Sequence, residues 1–387
     1  SKALDGTKTV ATVDGTDIPL GVVSLYAREQ QQQTTTMYLN YMGSADNIWD
    51  QTAGDDSDET YGDQAVTSSL ESVEKMYVLK EKAADYKVEL TDDDETAIAD
   101  AASQFMAANS EETIKELAVT EDQVKTLLEL QTIQKKMYDP VVEEGNITVS
   151  DDEANQTTFT YVSISTSGDD VTDEEKETKK EQAQEILDKM KEDPAADMSE
   201  IAKGVDDSYS AVQGNFTTKE SEDEDKDSSS EAYPDEVLKV LRGLKDGEVA
   251  DNIIETDTGY YVVRLDKIND EDATASKRES LQNSKESTYF TDTTAKWLDE
   301  ADVKVVKKVL KTLKITDKHT FMAPTPTPIP ETPTPEVTEE ATPTSETEEV
   351  TETPAAEDTD VTETPAAEEE AAETTETPEA TPTEAAK

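Results

Sequence analysis

Few side chains in this sequence could carry out covalent or metal chemistry. The 387 residues include no cysteine and a single histidine, His319. No cysteine means no disulfide framework, no thiolate zinc site and no cysteine nucleophile. One histidine near the end of the chain also disfavours a Ser-His-Asp hydrolase or a histidine-rich metal centre. We therefore expect neither a metal site nor a cofactor, and the remaining candidates are hydroxyl and carboxyl groups.

Two short stretches that contain tyrosine are typical of strands. "TGYYVVRLDKI", residues 258–268, reads as a glycine turn followed by alternating apolar residues, and it contains Tyr261. "TTFTYVSIST", residues 157–166, has the same alternation and contains Tyr161. An alternating pattern predicts a strand with one face in the core. Phenols on such strands can donate and accept hydrogen bonds at a binding surface.

The first 150 residues predict a strand and then a helical domain. "TKTVATVDGTDIPL" alternates through Val10 and Val13 and turns at Asp14-Gly15, which indicates a short strand or hairpin. Thr91 and Thr120 are N-cap residues followed by acids, and the last of these helices is expected to stop before Pro140. Apolar residues at helical spacing support three helices: Leu70, Val73, Tyr77 and Ala84; Ile98, Ala102 and Phe105; Val124, Leu127, Leu130, Ile133 and Met137.

From about residue 151 the pattern changes to a mixed one. A strand, two helices, a glycine-containing loop "DDSYSAVQGNF", a third helix and two strands follow one another over about 110 residues, which predicts a small α+β domain. A last helix passes through Trp297, and "VKVV" from Val303 resembles a strand. Because "TKTVATV" and "VKVV" are lone strands that need a partner, we expect them to pair in one domain.

The chain as a whole is strongly acidic. The net charge is −57, which excludes nucleic acid as a partner by electrostatic repulsion. Residues 319–387 are mainly Pro, Thr, Glu and Ala and are expected to be disordered, as is the acidic insert at residues 219–231, which lacks the spacing of a calcium loop. No apolar run reaches 18 residues, so the sequence predicts no membrane-spanning segment.

Three motifs in the same order resemble the parvulin-type peptidyl-prolyl isomerase domain: "DMSEIAKGVDDSYSAVQGNF", "YPDEVLKVLRGLKDGEV" and "TGYYVVRL". The full layout resembles the PrsA and SurA group of extracytoplasmic foldases. The resemblance implies an α+β protein with a mostly helical SurA-like chaperone domain and a small parvulin (FKBP-like) antiparallel-sheet domain. The implied domains are residues 1–150 (strand and helical chaperone domain), 151–270 (parvulin-like domain), 271–318 (helix and strand completing the chaperone domain) and 319–387 (tail).

The resemblance also implies site residues, with two departures from the family pattern. Both histidines that the family ordinarily carries are tyrosines here, and its Gly-Gly-Asp-Leu turn is Gln-Gly-Asn-Phe at residues 213–216. The implied catalytic residues are Tyr161, Asp207, Thr258 and Tyr261. The implied substrate-binding residues are Gly214, Asn215, Phe216, Val237, Leu238 and Leu241. The two phenols are expected to form a hydrogen-bonded pair in place of two imidazoles.

Each of these assignments has a plainer alternative. Tyr161 and Tyr261 are aromatic strand residues that commonly pack across strands without further function. Asp207 suits a turn or cap, and Gly214 a backbone position with positive φ. A dense aromatic and methionine cluster in the helical half could be core or could contact unfolded polypeptides; its members are Met37, Tyr38, Tyr41, Met42 and Trp49.

The resemblance implies a foldase that acts on X-Pro segments of unfolded or partly folded secreted polypeptides, with isomerase activity that is weak or lost without the histidines. It implies a location outside the cytoplasm in a Gram-positive-type envelope, with membrane attachment only through a lipid-modified cysteine upstream of Ser1. The alternative is a non-enzymatic, surface-displayed interaction protein that reuses the parvulin fold.

Overall fold

The computed structural model describes residues 4–222 and 232–318. These residues form two compact units, one of which is built from two separate segments of the chain. One unit contains the described residues up to Asn146 and those from Glu286 onward, and the other contains Ile147–Lys285. We call them the helical unit and the sheet unit. The predictions for the tail, for His319 and for most of the acidic insert fall outside the described residues.

The described elements confirm an α+β protein with small antiparallel sheets. The helices are α1 (Leu20–Met42), α2 (Tyr61–Lys82), α3 (Asp92–Ala108), α4 (Glu111–Leu117), α5 (Glu121–Glu144), α6 (Asp151–Ala154), α7 (Asp173–Glu192), α8 (Met198–Val205), α9 (Asp235–Leu241), α10 (Glu271–Glu300) and α11 (Lys307–Leu310), with a 3₁₀ turn at Ala83–Tyr86. The strands are β1 (Thr9–Val13), β2 (Thr16–Pro19), β3 (Gln156–Ser165), β4 (Ala211–Thr217), β5 (Ile254–Thr256), β6 (Gly259–Lys267) and β7 (Val303–Val305).

The predicted pairing of the two lone strands is confirmed. β1 is flanked by β2 and β7 in an antiparallel sheet, and Val13 lies opposite Val303. The β1–β2 turn is formed by Asp14 and Gly15, which have φ of 48° and 82°. Positive φ at both positions is the geometry of a two-residue hairpin turn. The helical unit is therefore closed by segments from distant parts of the sequence.

The helix starts predicted from capping residues are also confirmed. The Thr91 side chain accepts from the backbone N–H of Asp94, whose carboxylate accepts from the N–H of Thr91 in return. Thr120 and Gln123 form the same reciprocal pair at the start of α5. Each pair satisfies two backbone donors that a helix start leaves unpaired.

The expected end of α5 before Pro140 is wrong, because the helix continues to Glu144 with Pro140 inside it. A proline costs a helix one backbone hydrogen bond and adds steric strain. Here Val141 and Val142, the next two residues, are buried. Burial of these two side chains offsets the missing hydrogen bond. A rule based on local sequence does not take such burial into account.

The sheet unit has its described strands in the order β4-β3-β6-β5, all antiparallel. The stretch predicted as a glycine-containing loop instead contributes β4, which pairs with β3 along its length from Ala211 to Thr217. Helices cover both faces. α7 and α8 pack on the face that carries Val162 and Ile164, and α9 packs on the face that carries Phe159 and Val263.

The compact units divide near, but not at, the predicted domain limits. The divisions fall after Asn146 and after Lys285, whereas the resemblance implied limits at residues 150 and 270. The second division lies within α10, a continuous helix that the resemblance implied to belong wholly to the chaperone domain.

Candidate functional site

The central strands of the sheet unit place the two candidate tyrosines on the same face. Tyr161 on β3 and Tyr261 on β6 have ring centroids 5.8 Å apart. The Phe159 ring lies 5.3 Å from that of Tyr161 and 5.7 Å from that of Phe216 on β4. We refer to Phe159, Tyr161, Phe216, Tyr233 and Tyr261 as the aromatic face. It is the side of the sheet on which α9 packs.

The expected hydrogen bond between the two phenols is wrong for the geometry that the described residues show. No hydrogen bond of residues 4–222 and 232–318 joins the Tyr161 and Tyr261 hydroxyls, and their ring planes are inclined by 33°. Tyr161 lies opposite Val263 and Tyr261 opposite Ser163, so the two tyrosines are diagonal neighbours. Diagonal aromatic residues on adjacent strands meet ring to ring. Their contact is therefore a packing contact.

Tyr233 belongs to this face although the sequence analysis did not select it. Its ring lies edge-on to Phe159 at 4.9 Å and to Tyr161 at 5.8 Å. Its hydroxyl accepts a hydrogen bond from the backbone N–H of Asn215 on the edge strand β4. The available signal was an aromatic residue directly before Pro234, which precedes the first residue of α9.

Gly214 is explained by space and not by backbone conformation. The described residues with positive φ do not include it, so the expectation of positive φ is wrong. A Cβ atom at Gly214 would lie 2.2 Å from the Tyr233 hydroxyl oxygen and 3.2 Å from the Phe159 ring. The absence of a side chain is what lets Tyr233 lie against β4.

The other predicted substrate-binding residues lie deeper than a binding surface requires. Phe216 is 2% exposed, and the predicted residues of α9 are equally enclosed: Val237, Leu238 and Leu241. They form one buried cluster together with Phe159. Asn215 is exposed, and because side chains alternate along a strand, its side chain points away from the face that Gly214 and Phe216 share.

Asp207 and Thr258 each lie in a turn next to a strand of the sheet unit. Asp207 is exposed in the turn between α8 and β4, as the turn interpretation expects. The Thr258 hydroxyl lies 3.3 Å from that of Thr256, within the turn between β5 and β6. No hydrogen bond or ion pair of the described residues connects either side chain to Tyr161 or Tyr261. Of the four predicted catalytic residues, the structure brings together the two tyrosines.

The Tyr161 and Tyr233 hydroxyls stay protonated at neutral pH, because the pKa of each is raised. Burial, and then the neighbouring Tyr261, raises the pKa of Tyr161 above its ordinary value. Burial, followed by Tyr161, raises the pKa of Tyr233 to about 12. A cation lies at one edge, since the Arg242 guanidinium is 5.0 Å from the Phe216 ring centroid. Arg242 also donates to the Thr218 carbonyl at 2.7 Å, which fixes it beside β4.

Neither a metal site nor a membrane-spanning helix occurs among the described residues. No group of three or more His, Cys, Asp or Glu side chains in residues 4–222 and 232–318 is placed to hold a metal ion. None of the helices in that part of the chain is both long and apolar enough to cross a membrane.

Comparison with known families identifies the class of the sheet unit. Residues 169–278 match the family model of the PPIC-type PPIase domain. The match begins after β3 and therefore includes Tyr233 and Tyr261 but not Tyr161. This stretch is a peptidyl-prolyl cis-trans isomerase domain of the parvulin type.

The solved structures to which the chain is similar are described as PrsA. One is the foldase protein PrsA from Lactococcus lactis, with 16% identity and a TM-score of 0.33 over 80% of this chain and 100% of that one. Another is the peptidylprolyl isomerase PrsA from Bacillus anthracis, with 18% identity and a TM-score of 0.26 over 64% and 99%. PrsA from Bacillus subtilis has 18% identity and a TM-score of 0.23 over 67% and 95%. No curated protein sequence matches the chain.

Proposed function

We propose that the sheet unit accelerates cis-trans isomerisation of X-Pro bonds in unfolded polypeptides, and that the aromatic face is where the substrate binds. The observation that carries this proposal is the contact between Tyr161 and Tyr261 in the sheet unit. Residues 169–278 of this unit match the PPIC-type isomerase family. Both tyrosines are half-buried, so each offers a ring edge to a ligand.

The reaction suits a site without histidine or metal. Rotation about an X-Pro bond must break amide resonance, with a barrier of about 18 to 20 kcal/mol, and needs no nucleophile. A surface that removes water from the amide carbonyl lowers this barrier, because the twisted amide carries less charge separation than the planar one. Aromatic rings also pack well against a proline ring. The aromatic face can supply both effects.

An exchange assay by NMR on a short X-Pro peptide tests the proposal. We expect acceleration of cis-trans exchange by the full chain, and loss of it when Tyr161 and Tyr261 are both changed to alanine. Thermal unfolding of the double variant serves as a control for folding. No acceleration by the intact chain at any concentration would contradict the proposal.

We propose further that the helical unit binds unfolded or partly folded secreted polypeptides. The support is the C-terminal end of α1, where four of the five residues in the predicted methionine and aromatic cluster are exposed. Tyr41 is 84% exposed and Met42 73%, while Trp49 is buried, so the core interpretation holds for Trp49 alone. Flexible methionine side chains adapt to varied partners. Suppression of aggregation of an unfolded protein, weakened by Met42→Ser with Tyr41→Ser, tests this.

The location proposal rests on the sequence resemblance. We place the protein outside the cytoplasm of a Gram-positive-type bacterium, attached through a lipid-modified cysteine upstream of Ser1. Cell fractionation with and without a block in lipoprotein processing tests it, since an anchored protein would shift from the membrane fraction. A precursor with no cysteine shortly upstream of Ser1 would contradict the anchor.

One observation favours the non-enzymatic alternative. Phe216, Val237, Leu238 and Leu241, the residues expected to bind the proline ring, are enclosed in the core. An interaction module would keep the fold without an open ring pocket. The exchange assay separates the two proposals, because only the isomerase predicts faster exchange.

A further inference from the structure

The helical unit contains a cavity of about 790 Å³ framed by α1, the loop that follows it and the N-terminal half of α2. Along α1, lining residues recur every fourth position: Tyr26, Gln30, Thr34, Tyr38 and Met42. Residues four apart lie on the same face of a helix, so one face of α1 forms a side of the cavity. The volume lies within the range of about 300 to 1,000 Å³ that is typical of small-ligand sites.

The wall of this cavity combines aromatic rings with uncharged polar groups. The aromatic residues are Tyr26, Tyr38, Trp49 and Tyr61. Met42, Ile48 and Ala65 supply the aliphatic part and Asp46 a negative charge, and the other lining residues are serine, threonine, asparagine and glutamine. Because aliphatic surface is scarce, the wall suits a ligand rich in hydroxyl groups better than it suits the leucine and valine side chains of an unfolded polypeptide.

An enclosed hydroxyl at this wall has no partner within the described protein. Ser69 on α2 lines the cavity, is 3% exposed and takes part in no hydrogen bond among residues 4–222 and 232–318. Enclosed hydroxyls in proteins are normally hydrogen-bonded, because an unpaired one has lost its water without compensation. Gln30 and Asn47 also line the cavity, and their side chains likewise form no hydrogen bond within the described part of the chain. These groups are available to a ligand.

Hydrogen bonds fix the loop side of the cavity in advance. The backbone N–H of Tyr61 donates to the Gln51 carbonyl at 2.9 Å, and the N–H of Gly62 donates to the Trp49 carbonyl at 2.9 Å. The Trp49 indole N–H donates to the Thr35 hydroxyl at 3.3 Å, which sets the orientation of its ring. A wall that is already ordered costs a ligand less free energy to bind.

We propose that this cavity binds an uncharged oligosaccharide of pyranose sugars. One face of a pyranose ring presents C–H bonds, whose partial positive charge is attracted to the negative face of an aromatic ring. Its edge presents hydroxyls that donate and accept hydrogen bonds, as serine, asparagine and glutamine side chains also do. Asp46 and the net charge of −57 disfavour an acidic saccharide. The proposal does not depend on isomerase activity, which belongs to the sheet unit.

Tryptophan fluorescence offers a direct test, because the chain has two tryptophans and Trp49 lines the cavity. The full chain with Trp297→Phe, in which Trp49 is the remaining indole, is titrated with chitotetraose, cellotetraose and maltotetraose. We expect a saturable change in emission with at least one of them, with a dissociation constant of about 1 mM or tighter. Calorimetry on the unaltered chain provides an independent readout. Neither heat nor an emission change with any of the three up to about 10 mM would overturn the proposal.

Ser69→Ala separates a role in binding from a role in folding. It removes a hydroxyl that no described group of the protein bonds, so the midpoint of urea unfolding should not fall. Binding of the oligosaccharide should weaken about two- to tenfold, the effect of one lost hydrogen bond. Thr67→Ala is the matched control, since Thr67 is an exposed hydroxyl residue on the same turn of α2 and is not among the cavity residues. Equal affinities of the two variants would overturn the proposal.

Tyr61→Leu distinguishes a saccharide from a polypeptide in this cavity. The change keeps an apolar side chain but removes the aromatic face, so oligosaccharide binding should weaken about three- to tenfold while binding of an unfolded polypeptide should be retained. A response of Trp49 emission to an unfolded polypeptide and to none of the sugars would assign the cavity to polypeptides and overturn the proposal. Tighter binding of an acidic probe, tetragalacturonate, than of the neutral sugars would also overturn it.

Discussion

At the scale of single residues, the site differs from a histidine site in what it can do with protons. The Tyr161 and Tyr233 hydroxyls have raised pKa values because burial disfavours the phenolate. A neutral phenol can donate a hydrogen bond to a carbonyl but cannot supply a charge near neutral pH. The proposed catalysis therefore depends on shape and exclusion of water, with little contribution from proton transfer.

This difference predicts a flat pH profile. An imidazole with a pKa near 6.5 titrates in the physiological range, whereas these phenols do not. Exchange of an X-Pro peptide catalysed by the chain should therefore change less than about twofold between pH 5.5 and 8, measured by NMR with circular dichroism as a check on folding. A bell-shaped or sigmoidal profile centred in that range would point to a titrating group that the account lacks.

Gly214→Ala should destabilise the sheet unit. The new methyl would lie 2.2 Å from the Tyr233 hydroxyl oxygen, so Tyr233 would have to move and release the Asn215 amide. Overpacking of this kind costs about 1 to 3 kcal/mol, to be measured by urea unfolding. Gly204→Ala in α8 is the control, because nothing lies within 4 Å of a Cβ there. Equal effects of the two changes would show that Tyr233 is not held against β4.

Removal of a hydroxyl from the aromatic face should reduce exchange activity less than removal of a whole side chain does. Tyr261→Phe keeps the ring and should leave most of the exchange activity. Phe216→Ala and Leu241→Ala remove buried side chains of the cluster that supports the exposed part of the face, and both should depress activity, together with a loss of stability of about 3 to 5 and 2 to 5 kcal/mol. The comparison is made under conditions in which each variant remains folded. A larger loss in Tyr261→Phe than in Phe216→Ala would assign the hydroxyl a direct role.

At the scale of elements, local signals predicted the parts of the fold that local chemistry determines. The hairpin at Asp14-Gly15 follows from two residues that tolerate positive φ, and the starts of α3 and α5 follow from threonine caps. β4 was missed because Gly214 interrupts its alternation, and its glycine serves Tyr233, which is distant in sequence. The end of α5 was also misplaced, because the helix continues past Pro140 and buries Val141 and Val142.

The Asp317 carboxylate accepts hydrogen bonds from the backbone N–H groups of Ile48, Trp49 and Asp50 at 2.9, 2.8 and 2.9 Å, an arrangement that we call the Asp317 clamp. It makes a prediction at the scale of elements. Burial alone would raise the pKa of Asp317, but the backbone donors of Trp49, Asp50 and Ile48 together outweigh it and the pKa is lowered. A carboxylate with a lowered folded pKa contributes stability above its unfolded pKa of about 3.8, and loses that contribution as the pH falls through the folded value. Asp317→Ala should therefore destabilise the helical unit by about 1 to 2 kcal/mol at pH 7 and by less below pH 3.8.

Asp55→Ala is the matched control for the clamp. Asp55 is an exposed acid in the loop between α1 and α2, the loop that also contains Ile48, Trp49 and Asp50. It takes part in no hydrogen bond or ion pair among the described residues. Its removal should change the free energy of unfolding by less than about 0.5 kcal/mol at either pH. A difference between the two variants that does not shrink on acidification would show that the clamp acts through packing and not through the charge of its carboxylate.

At the scale of the whole molecule, the chain assembles one unit from two distant segments and inserts the other between them. The pairing of β1 with β7 closes the helical unit, and both strands were recognisable in the sequence from their alternating apolar residues. The site residues were harder to predict. Family resemblance selected Tyr161 and Tyr261, whose rings are neighbours, but only the folded sheet shows that Tyr233 joins them.

The central claim is that the aromatic face of the sheet unit accelerates X-Pro isomerisation. Its most direct test is the line broadening and exchange spectroscopy of one X-Pro peptide, recorded with the full chain and with the Tyr161→Ala, Tyr261→Ala double variant at equal concentration. The account predicts a concentration-dependent rise in the cis-trans exchange rate with the full chain and at least a tenfold smaller rise with the folded double variant. It is contradicted if the full chain produces no rise, or if the double variant accelerates exchange as well as the full chain does.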